Sequence, residues 1–204
     1  MSDIQSLFGR AAELLRSSVA SQSQYPITEV KSSVDQRVYR VRDLPDKQAA
    51  ADLLARVRQK MQRLYLYTQD KYPDKPQVKQ WVANFVPDPA RFAESTPDAE
   101  HTSYSVNKGE KVYLCLRQRE GHNEKLIDEN VMVFVALHEM AHVITPSIGH
   151  GPDFWNNFGW LLKQAEAIQI YHYQDFKSHP VSYCGLHITD SPAYDAKKDG
   201  TDLS

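Results

Sequence analysis

Residues 129–144, ENVMVFVALHEMAHVI, constrain this chain more than any other stretch. They read as a helix with apolar residues on nearly every side, so the helix must lie at the centre of a core. Asp128 or Asn130 supplies its N-cap. Yet it carries His138, Glu139 and His142. Burying two imidazoles and a carboxylate without partners is costly. One buried histidine is usually a satisfied core residue; this trio asks for more. Residues i and i+4 share a helix face, so His138 and His142 can direct their rings at one metal ion. Glu139 stands about 100° around the helix, beside such an ion rather than on it. A carboxylate there can take a proton from a metal-activated water, which is the chemistry of His-Glu-x-x-His. Zinc brings the pKa of its water down to roughly 7.

A catalytic zinc needs a third protein ligand and an open position. His150 lies in the turn IGHGP, where Gly149 and Gly151 let the chain bend back. Glu166 lies on the following helix, where another arrangement of such sites places an acidic ligand. The reading favours His150 and takes Glu166 as a surface residue. The spacing HExxHxxGxxH does not hold, because Thr145 and Ile148 occupy the positions it needs. What stands is HEMAH, seven residues, then HGPDFW.

HEMAH followed by GHGPDF resembles the SprT-like and WLM (Wss1p-like) metalloproteases, whose motif is HExxH, a variable loop, then His-Gly-x-x-Phe. The resemblance covers residues 104–165. It implies a minimal zincin in which His138, His142 and His150 hold Zn²⁺ and Glu139 is the general base. It also implies a small sheet with an edge strand beside the site. Both families include proteases acting on DNA-bound proteins. No DNA-binding module or zinc ribbon accompanies the motif here, so that substrate is not carried over.

The rest of the chain fits one domain. Net charge is −2 over 204 residues, unlike a phosphate-seeking protein. No apolar run approaches the ~20 residues of a membrane span, and no signal-peptide pattern opens the chain. Two distant cysteines, Cys115 and Cys184, are no disulfide framework. A reduced, intracellular protein, cytoplasmic or nuclear, is therefore expected, with both cysteines acting as small buried residues and one disulfide as the alternative.

The boundaries expected are an N-terminal amphipathic helix and linker over 1–24, a zincin-like domain over 25–190 and a loose polar tail over 191–204. The helix spans 3–19, and SQSQYPITEVKSS continues as linker. A strand over 38–41 precedes a helix from 46 to about 67 with an apolar stripe from Ala50 to Tyr65. Arg56, Arg58, Lys60 and Arg63 form its opposite face, read as solvated rather than nucleic-acid binding. A helix starts at Pro76. After an irregular stretch, TSYSV-NKGE-KVYLCLR reads as a hairpin with turn chemistry at Asn107, Lys108 and Gly109. Its second strand, 111–117, is a site where an extended peptide can pair. A helix from Pro152 buries Phe154, Trp155, Phe158, Leu161, Leu162, Ala165 and Ile168. Aromatic loops follow, with a short strand around SYCGLHI.

For oxyanion stabilisation the candidates are His172, Tyr173, His179 and Tyr183, with Tyr183 preferred. Asp153 either orients a ligand histidine or supplies helix N-terminal charge.

These readings give an α+β fold: a minimal zincin-like domain whose small β-sheet packs on the HExxH helix and a second, C-terminal helix, with helices N-terminal to them. The function expected is a zinc-dependent metallopeptidase acting on a protein or peptide. The alternatives are a zinc-fold scaffold without turnover and a hydrolase of a non-peptide amide.

Overall fold

A computed structural model describes residues 24–119 and 124–192. The expected helix over 3–19 lies outside them, as does the tail from 193 onward. Strands β1 (Ile27–Lys31) and β2 (Val38–Arg42) form an antiparallel hairpin. Helix α1 (Lys47–Lys71) and helix α2 (Pro76–Asn84) follow, then strand β3 (Phe92–Glu94). Strands β4 (Tyr104–Val106) and β5 (Lys111–Leu114) form the second hairpin. Helix α3 (Glu129–Ile144), helix α4 (Pro152–Ala167) and a small hairpin of β6 (Val181–Tyr183) and β7 (Leu186–Ile188) complete the order.

The fold is α+β, with one five-stranded sheet in the order β1-β2-β3-β5-β4. β3 pairs in parallel with β2 and β5, and the outer pairs are antiparallel. Helix α3 lies where composition required it: Met132, Val133, Ala136, Leu137, Met140, Ala141 and Val143 have no exposed surface. It packs on α1, α2 and α4 and reaches β4 and β5. The Asp128 carboxylate caps its start, accepting the amide of Asn130 at 2.9 Å. The expected stripe of α1 is buried from Ala50 to Leu64, and Tyr65 packs partly against the core.

The structure corrects several expectations. The linker after residue 20 contains β1, which exists because β2 pairs along its whole length. The irregular stretch contains β3, likewise made by neighbours on both sides. Strand β5 is internal, so the strand with an open side next to α3 is β4. Arg58 is not on a solvated basic face: it is buried and bonds Tyr39, Gln62 and Asp35. Arg56 and Lys60 pair with Glu129 at the start of α3. Trp155 is 45% exposed rather than inward-facing. Cys115 and Cys184, expected as separate reduced residues, are joined in a disulfide. The β6–β7 hairpin folds back onto the end of β5 and closes that 69-residue separation.

A buried ion pair ties the sheet centre to α1. Glu94 accepts the Arg117 Nε at 2.8 Å and the Arg42 amide at 2.7 Å, and Arg117 also pairs with Asp46. Both Glu94 and Arg117 side chains are almost wholly buried. Removing one partner leaves the other charge uncompensated, so Glu94→Ala is expected to cost about 3–5 kcal/mol in urea unfolding. A loss below about 1 kcal/mol, the range of a surface pair, contradicts this account.

Candidate metal centre

Helix α3 holds His138 and His142 one turn apart on the stripe facing α4. The chain leaves α3 at Thr145, turns through Gly149 at a φ of 88°, and enters α4 at Pro152. A glycine suits that left-handed position. This course brings His150 back over the two α3 histidines. Phe154, fully buried in the first turn of α4, forms the floor beneath all three rings. Its ring centroid lies 4.9 Å from His138, 4.4 Å from His142 and 4.6 Å from His150.

One ligand nitrogen from each histidine can be chosen so that all lie within 4.8 Å of one another. The Nε2 atoms of His138 and His150 face each other at 3.2 Å. Two nitrogens on a tetrahedral zinc with bonds of about 2.0–2.1 Å stand roughly 3.3 Å apart. The donor set therefore fits a zinc ion with three nitrogen ligands, and the cleft leaves room for a fourth. Burial, reinforced by the neighbouring imidazoles, pushes His138 down to about 3. Burial, His150 and Lys108 push His142 down to about 4. Both are neutral at pH 7, the form that binds metal.

Glu139 is 4% exposed and lines the same cleft as the histidines. Burial pushes its carboxyl up to about 8, opposed by hydrogen bonds from the backbone and side chain of Ser105 on β4. Ser105 of the edge strand thus holds the carboxylate. The cleft has a volume of about 920 Å³. One wall is residues 101–105, and the β6–β7 hairpin contributes Tyr183 and Leu186.

Tyr183 reaches the cleft but spends its proton elsewhere. Its hydroxyl donates to the Cys115 carbonyl at 3.1 Å and meets Ser103 Oγ at 2.5 Å. Ser103 Oγ in turn accepts the Cys115 amide at 2.9 Å. With those donors fixed, the Ser103 hydroxyl donates to Tyr183, and the four groups close a ring. Burial holds the Tyr183 phenol well above its usual range.

The other expected groups lie apart from the cleft. His172, Tyr173 and His179 are not among its lining residues. Glu166 is outside the histidine group. Asp153 accepts the Ser147 hydroxyl at 2.5 Å and braces the loop rather than a ligand. Ser103 and Ser105 were not singled out from sequence. Their only signal was position, on the short strand preceding the apolar helix.

Residues 33–203 match the WLM domain. An uncharacterized protein of Acanthamoeba polyphaga mimivirus is 32% identical over 163 residues, which is 79% of this chain and 82% of that protein. An uncharacterized protein of Invertebrate iridescent virus 6 is 32% identical over 82 residues, 40% of this chain and 44% of its own length. Among solved structures, the crystal structure of Wss1 from Saccharomyces cerevisiae aligns with a TM-score of 0.47 at 20% identity. That alignment covers 64% of this chain and 88% of the other.

The raised Glu139 carboxyl fixes a sign. Its contribution to stability is complete below about 4.5, the unfolded value, and is lost as pH rises through about 8. In metal-free protein, Glu139→Gln removes that loss. Its melting temperature relative to wild type is expected to climb between about pH 5 and about pH 9. A difference that stays flat over that range contradicts the burial assigned to Glu139.

Proposed function

The chain belongs to the WLM family of metalloprotease-like proteins, and on that premise we propose that it is a zinc-dependent metallopeptidase. The observation that carries the reading is the convergence of three imidazole nitrogens within 4.8 Å, in one cleft with a buried carboxylate. His138, His142 and His150 hold the ion. When bound, zinc lowers the pKa of water to about 7 and polarises a carbonyl oxygen.

The chain's own groups do the rest. Glu139 follows His138 directly, and a cation beside it favours its ionised form against the pull of burial. As a carboxylate it accepts the proton of the attacking water and later delivers it to the leaving amine. Ser105 holds that carboxylate against β4, so the base is oriented before substrate arrives. An extended peptide lies along the open side of β4, with its scissile bond under the histidines. Ile148 and Leu186, 97% and 56% exposed, both line the cleft. Apolar groups there favour a polypeptide over a small polar amide. Tyr183 enters as a positioning residue: its ring of hydrogen bonds holds Ser103, and with it the end of β4.

The proposal is tested on a denatured protein substrate with zinc-loaded wild type and Glu139→Gln. Turnover is expected to fall at least about 100-fold in Glu139→Gln while zinc content stays near one equivalent. Equal residual turnover in both proteins would leave a zinc-bearing scaffold as the reading.

A further inference from the structure

The turn between β4 and β5 is shaped around one side chain. Asn107, Lys108 and Gly109 take positive φ of 46°, 55° and 110° in succession. Asparagine and glycine suit this region, whereas a lysine adopts it under strain. The turn presses directly on α3. A Cβ on Gly109 would lie 3.2 Å from both methyls of Val143 and 3.3 Å from the Phe85 ring. The Asn107 amide braces the turn, donating to Glu110 at 2.7 Å.

This geometry sets the Lys108 ammonium under the C-terminus of α3. Its Nζ donates to the carbonyls of His142 at 3.2 Å, Thr145 at 2.6 Å and Ser147 at 2.8 Å. An ammonium has three protons, and here all three are used. The last carbonyls of a helix lack partners within it. A glycine in left-handed conformation often ends the helix and satisfies them. Here the residue after α3 is Thr145, in extended conformation. Lys108 supplies the missing donors from another element, with a charge that complements the negative end of the helix.

The three carbonyls do not belong to the helix end alone. The first is that of His142; the others begin the loop to His150. Side chains brace the same stretch. Asn157 donates to Thr145 Oγ1 at 2.9 Å, and the Ser147 hydroxyl donates to Asp153. Beyond Ser147 the loop loses its supports: Ile148 is 97% exposed, and a Cβ on Gly149 would meet nothing within 4 Å. Lys108 thus fixes the chain as far as Ser147, three residues before His150, and the Phe154 ring holds the imidazole from the α4 side.

We propose that Lys108 is a positioning residue of the metal centre, fixing the spacing between the two α3 ligands and His150. The inference rests on the three-histidine zinc reading but not on hydrolysis. Its test is therefore made on binding. Zinc affinity is measured by chelator competition for wild type, Lys108→Met and His150→Ala, with cobalt(II) spectra recorded for each. Lys108→Met keeps most of the stem and loses the donors. It is expected to bind zinc about 10–100-fold more weakly, the usual effect of losing a group that orients a ligand. Its cobalt spectrum should move from the wild-type form toward that of His150→Ala. An affinity within about twofold of wild type, with an unchanged cobalt spectrum, overturns the proposal.

If Lys108→Met does not fold, Lys108→Gln decides. Its uncharged amide has two N–H donors for three carbonyls. Weakened zinc binding then supports the proposal, and wild-type binding overturns it. Wild-type protein that takes up no zinc removes the three-histidine reading itself, a different failure from a zinc-binding wild type indifferent to Lys108.

Discussion

Everything near the cleft follows from the desolvation of polar groups on α3. A helix this apolar can only be central, and centrality buries Glu139 and half-buries His138 and His142. Each group is compensated differently. The imidazoles are held neutral and packed on Phe154, His138 edge-on and His142 tilted. The carboxylate is bonded from Ser105. The Nε2 atoms of His138 and His150 lie 3.2 Å apart, a spacing that a shared zinc ion fits.

The layers around α3 act as supports for that arrangement. The β4–β5 hairpin touches it at two places. Strand β4 holds Glu139 through Ser105, and the Lys108 turn grips the helix end. Helix α4 supplies the aromatic floor and the residues that brace the connecting loop. The β6–β7 hairpin forms the far wall of the cleft. It hangs on a short stretch of chain: the Cys115–Cys184 disulfide, the Tyr183 ring, and Gln118, whose amide donates to the Ser182 carbonyl and accepts the Cys184 amide. Short strands suffice because side chains complete the fastening.

Local periodicity made much of this legible. Helices α1, α3 and α4 and the β4–β5 hairpin could be read because their signals lie within one segment. The histidine triad was legible because an i, i+4 pair and a Gly-flanked third histidine are spelled out in sequence. Long-range pairing was not. β1 and β3 are short, and their partners create them. The disulfide joins residues too distant for spacing to suggest. Arg58 looked like part of a solvated face because its buried partners, Tyr39 and Asp35, belong to the preceding hairpin and its turn. Lys108 read as turn chemistry alone, since the carbonyls it meets lie more than thirty residues on.

The central claim is that three imidazoles of this chain form one zinc site with an open fourth position. X-ray absorption at the zinc edge of the loaded wild-type protein tests it most directly. The account predicts four nitrogen or oxygen scatterers at about 2.0–2.1 Å, with outer-shell scattering from three imidazole rings. A sulfur scatterer at about 2.3 Å, or scattering from two imidazoles or fewer, would contradict it.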